Sequence, residues 1–128
     1  MRTSDERRRK ALWRLTGGLL ACVFASGVTE AEQVRRFDLQ LAGRRMAKGP
    51  TTMRVTQGDR VEMQWTTDQP VRLHLHGYDI ELAVNPNTAA VMRVRVDATG
   101  RFPIAAHGDS DSKDKSHRPI AYLEVHPR

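Results

Sequence analysis

From Val34 onward, apolar residues recur at every second position. Phe37, Leu39 and Leu41 form one such series, and Met53 and Val55 begin another. Val61, Met63 and Trp65 follow, then Val71, Leu73 and Leu75, and then Ile80, Leu82 and Val84. Val94 and Val96, Phe102 and Ile104, and Leu123 and Val125 complete the pattern. A period of two sends alternate side chains to opposite faces of a strand, so each series predicts a strand with one buried and one wet face. Turn residues fall between the series: Ala42-Gly43, Gly49-Pro50, Gly58-Asp59, Asp68-Gln69-Pro70, Asn85-Pro86-Asn87 and Thr99-Gly100. Seven or so short strands at this spacing predict an all-β domain, an antiparallel sandwich or barrel. Gly108 to Ser116 reads GDSDSKDKS and predicts a charged surface loop.

The first 31 residues break the pattern. Arg7-Arg8-Arg9-Lys10 precedes a mostly apolar or small run, LTGGLLACVFASGV, from Leu15 to Val28. A basic stretch, an apolar stretch and then small residues are the order of a secretory signal. The run is short and glycine-rich for a membrane span. Residues 1–31 are therefore expected to be a signal peptide or N-terminal anchor, helical in its apolar part, and residues 32–128 one domain. Leu19-Leu20-Ala21-Cys22 weakly matches a lipidation site at Cys22. Cleavage, lipidation and retention as an anchor all imply an exported, for instance periplasmic, domain, with membrane contact only through the leader.

This division changes the reading of charge. The chain of 128 residues has a formal charge of +6, but six basic residues lie in its first 14 positions. From Glu32 onward, 15 Lys and Arg stand against 12 Asp and Glu. With no basic cluster interleaved with aromatics, nucleic acid is not an expected partner. Arg72, Arg93, Arg95 and Arg101 are expected to form a basic strip on one sheet face. Cys22 is the sole cysteine, so residues 32–128 have neither a disulfide nor a thiolate ligand.

Several segments occur in an order that resembles the cupredoxin family. Val55-Thr56-Gln57-Gly58-Asp59-Arg60-Val61 resembles its strand–turn–strand segment. Val71-Arg72-Leu73-His74-Leu75-His76-Gly77 lies where the family carries its first histidine ligand. Gly100-Arg101-Phe102 through His107 resembles the strand leading to its Cys-and-His loop, and Ala121 to Val125 its closing strand. The resemblance implies a Greek-key β-sandwich of the cupredoxin type over about residues 35 to 127. It also implies copper chemistry, but with a departure. A blue-copper centre uses two histidines, a cysteine and usually a methionine. The cysteine position falls on Ala106 or Ile104, depending on the direction of counting. The methionine position falls among Pro119, Ile120 and Ala121.

Histidine is what remains. His74 and His76 lie two apart and share a face opposite Val71, Leu73 and Leu75. His-Leu-His-Gly is also similar to the H-x-H-G segment of multicopper oxidases. His107 and His117 flank the loop at the end where a cupredoxin holds its metal. The expected ligand set is His74, His76, His107 and His117, with copper as the ion and zinc as the alternative. Asp79 is expected to orient a ligand histidine, Met92 is expected in the core or on a strand surface and is only a remote soft-ligand candidate, and His126 is expected to be exposed. Asp59, Glu62, Asp68 and Asp79 read as solvated acids.

No nucleophile turn, phosphate loop or HExxH helix is present, so the chain is not expected to be an enzyme. The sequence leads to an exported copper-binding module, serving copper handling or a periplasmic or membrane redox protein. The alternative is a metal-free cupredoxin acting as a protein-interaction module.

Overall fold

A computed structural model of the chain describes residues 32–108 and 118–128. The leader, Cys22, the charged stretch 109–117 and His117 lie outside the described residues. Nine strands are described: β1 (Val34–Ala42), β2 (Arg45–Lys48), β3 (Thr52–Thr56), β4 (Arg60–Thr67), β5 (Val71–Leu75), β6 (Ile80–Val84), β7 (Ala90–Arg95), β8 (Gly100–His107) and β9 (Pro119–His126). They form a four-stranded sheet, β2-β1-β4-β7, and a five-stranded sheet, β3-β9-β8-β5-β6. Among the described residues no helix is long and apolar enough to cross a membrane.

The alternation read from sequence is the alternation that packs. β4 buries Val61, Met63, Trp65 and Thr67 and turns Gln64 and Thr66 outward. Leu39, Leu41, Leu73, Leu75, Ile104 and Leu123 join the same core. Each fully buried side chain of this size contributes ~1.5–3 kcal/mol. Met92 is 1% exposed and belongs to this core, so it cannot serve as a soft metal ligand. The buried Trp65 Nε1 has no hydrogen-bond partner among the described residues.

The sheets are mixed rather than wholly antiparallel. β1 runs parallel to β4, and β3 parallel to β9, while the other paired strands are antiparallel. Hydrophobic period is indifferent to strand direction, which long-range connections decide. β2 contains a single half-buried methionine, Met46, too little apolar content to announce a strand.

The β3–β4 turn shows why glycine and aspartate adjoin there. Gly58 adopts φ +91°, open to glycine but strained for other residues. Asp59 is 4% exposed rather than solvated. Its carboxylate accepts from the Thr56 amide at 3.1 Å and stands 3.6 Å from Arg128 Nη2. Its carbonyl accepts from Val96 N, and Gly58 N donates to Val96 O, fastening the turn to the chain beyond β7. A carboxylate taken out of water needs such partners, since a buried polar group left unmatched costs ~1–3 kcal/mol and a charged one more.

Candidate metal centre

β5 lies between β8 and β6, and its Val71, Leu73 and Leu75 point into the core. Arg72 and His74 therefore face outward, and His76 continues this face just beyond the strand. The His76 amide donates to Pro103 O at 3.0 Å, so β8 still holds the chain there. The His74 and His76 rings are in contact, with centroids 4.1 Å apart and planes tilted by 46°. His74 is 25% exposed, and its Nε2 stands 3.8 Å from Asp79 Oδ1. That separation is too long for a hydrogen bond.

The turn between β5 and β6 is firmly fixed. Gly77 has φ +89°, and a Cβ there would lie 2.6 Å from the Phe102 ring. Tyr78 packs edge-on against Phe102, with centroids 4.7 Å apart. The Tyr78 hydroxyl donates to Ala98 O at 3.2 Å and accepts from Ala98 N at 3.3 Å. Asp79 then adopts φ +52°, an uncommon conformation for a residue other than glycine. Returning along β6, Glu81 is paired directly with His74.

His107 is placed differently. It ends β8 opposite Arg72, so it shares the outer face with His74 but lies diagonally from it. Diagonal neighbours stand about 7–8 Å apart. His76 is four residues along β5 from the Arg72 position, about 13 Å away at 3.3 Å per residue. The structure thus brings His74 and His76 together and sets His107 one step to the side. His126 is half-exposed, with Nε2 2.9 Å from Glu124 Oε1 at the far side of the sheet.

The blue-copper arrangement does not fit. Ile104 is fully buried and Ala106 packs against the core, so the two counted cysteine positions carry inward-facing aliphatic side chains. Among the described residues no three His, Cys, Asp or Glu side chains are set around one point as a finished metal site. The imidazole pair does fit one requirement of a borderline ion. Two nitrogens bound at ~2.0 Å in tetrahedral or square geometry stand about 3 Å apart, so their rings must be neighbours, as the His74 and His76 rings are.

The expected basic strip is not continuous. Arg93 and Arg95 lie on β7 in the four-stranded sheet, whereas Arg72 and Arg101 lie on β5 and β8 in the other. The Arg101 guanidinium lies 3.8 Å from the centroid of the Tyr122 ring. Sequence spacing made these arginines surface residues without assigning them to a sheet.

No protein-family profile and no curated protein sequence matches the chain. Solved structures do resemble it. A chain of a heme-copper terminal oxidase dimer superposes with a TM-score of 0.60 at 17% identity, covering 77% of this chain and 68% of that one. A copper binding protein solved by NMR in its apo form gives 0.57 at 9% identity, covering 75% and 91%. The periplasmic domain of cytochrome oxidase subunit II from Bradyrhizobium japonicum gives 0.56 at 11% identity, covering 73% and 84%. Together with the two-sheet architecture, these likenesses define the class: the chain carries a cupredoxin-like domain.

Proposed function

We propose that this chain is an exported copper-binding protein that handles copper or serves a redox or respiratory system, holding the ion through histidine. The observation that carries the reading is the contact between the His74 and His76 imidazoles on the outer face of a cupredoxin-like domain with no cysteine from residue 32 onward. Neutral imidazole nitrogens suit copper, and one of the solved structures that resemble this chain is a protein described as copper binding. Export rests on the leader and on likeness to a periplasmic domain. A respiratory partner rests on likeness to terminal-oxidase chains. None of the three compared chains is described as a zinc protein.

Copper, when bound, supplies a cargo ion or a one-electron centre. The chain's own residues present imidazole nitrogens, and Asp79 sets a negative charge beside them. No catalytic role is proposed. The second reading, a metal-free interaction domain, draws on the lack of a finished three-ligand set among the described residues. Titrating the full, untagged chain with Cu(II) separates the two. The copper reading expects one saturable ion per chain, and the metal-free reading expects none.

A further inference from the structure

We infer that copper is held as Cu(II) on the β5–β6 hairpin by His74 and His76 with Asp79, and not at the β8–β9 end of the sandwich. This inference rests on the copper reading and assigns the site within it.

Three features of the hairpin point the same way. The first is proximity: the two imidazoles already touch, and Asp79 is 3.8 Å from one of them. The second is charge. His74 is paired across the sheet with Glu81 and has Asp79 beside it, so two carboxylates adjoin the imidazole pair. His107 is instead paired with Arg72, whose guanidinium opposes a second cation. The third is rigidity. All three donors lie within six consecutive residues, His74 to Asp79, on a hairpin fixed by the Tyr78 hydroxyl and by Gly77 against Phe102. Ligands held in place before binding lose less conformational freedom on binding.

The Asp79 side chain is 92% exposed and has room to swing toward the rings. Donor chemistry then selects the oxidation state. Met53, Met63 and Met92 are buried in the core, and Met46 lies on the other sheet. No methionine sulfur shares this face among the described residues. Nitrogen and carboxylate donors favour Cu(II), whereas thioethers favour Cu(I).

The test uses the full, untagged chain, titrated with Cu(II) by calorimetry and followed by electron paramagnetic resonance. Wild type should bind one Cu(II) with hyperfine structure from two nitrogens. Changing an outer-shell partner of a metal commonly costs ~10–100-fold in affinity, so loss of a direct ligand should cost at least ~100-fold. His74→Asn and His76→Gln should each show that loss, and Asp79→Asn, which keeps a neutral amide oxygen in place of the carboxylate donor, about 10-fold. His107→Ala and His117→Ala should bind as wild type does. Circular dichroism melts would establish that each variant is folded. If His107→Ala or His117→Ala abolishes binding while His76→Gln retains it, the hairpin assignment is overturned and the copper reading stands. If folded wild type binds no Cu(II), both fall.

Discussion

The outer face of the four-stranded sheet and the β5–β6 end of the five-stranded sheet carry charge in opposite ways. On the four-stranded sheet, opposite charges alternate and satisfy one another. Glu62 lies between Arg36 at 3.0 Å and Arg93 at 3.4 Å, and Glu32 between Arg60 at 3.2 Å and Arg95 at 3.8 Å. On the five-stranded sheet, two imidazoles touch each other, and their nearby carboxylates, Asp79 and Glu81, sit on a single turn and edge strand. A ladder of paired guanidinium and carboxylate groups leaves little for a ligand to gain. Adjacent nitrogen donors with acids beside them leave an attraction that a cation can satisfy. Two shallow surface depressions, of about 370 and 400 Å³, open beside the paired charges, while the histidines lie on the other sheet.

The largest expected effect breaks this contrast at the histidines. Replacing both His74 and His76 with alanine should remove Cu(II) binding, a loss of at least ~100-fold by calorimetry. Replacing both Arg36 and Arg93 with alanine should leave copper affinity unchanged. Next comes the turn that carries the donors. Gly77→Ala meets both an unfavourable φ, which costs ~1–2 kcal/mol for a residue with a Cβ, and the Phe102 ring. Gly43, in the β1–β2 turn of the other sheet, has φ +55°, and a Cβ there would meet nothing within 4 Å, so Gly43→Ala should incur the backbone cost alone. Denaturant unfolding should therefore rank Gly77→Ala as the more destabilised.

Tyr78→Phe sharpens the comparison more gently. It removes the two hydrogen bonds to Ala98 and keeps every proposed donor. A loss of about 1 kcal/mol in stability is expected, with weaker Cu(II) binding as the hairpin loosens. An unchanged copper affinity would mean that the turn's rigidity does not contribute to binding.

The smallest effect lies in the charge ladder. The Arg36 hydrogen bond holds the Glu62 carboxyl below its ordinary pKa, against the opposing influence of burial, with the charges of Arg36 and Arg93 assisting. A carboxyl whose pKa is lower in the folded state stabilises the fold above its unfolded pKa and loses that contribution as pH falls through the folded one. Glu62→Gln should therefore melt slightly below wild type at neutral pH, and the gap should close in acid. Added salt should also narrow it, because exposed ion pairs are screened.

Much of the candidate site was legible in the chain before folding. His74 and His76 had to share a face because they stand two apart on a strand whose other face is Val71, Leu73 and Leu75. His107 was less so: its residue type suggested a ligand, while its pairing with Arg72 depends on the register between strands some 30 residues apart in sequence. The Asp59 carboxylate looked like one more turn acid until Thr56 N and Arg128 closed around it. The four arginines show the same limit, since spacing distinguishes inside from outside but does not identify the neighbouring strand.

Sequence alone determined the alternation that builds the strands, the absence of any thiolate from residue 32 onward and the adjacency of two imidazoles. These are local properties, set by the two-residue repeat of an extended backbone and by composition. Tertiary structure decided which strands became neighbours, which ran parallel, and that His74 faces Glu81 while His107 faces Arg72. Those outcomes depend on contacts between distant segments, chosen by how the whole core packs, and no local pattern encodes them.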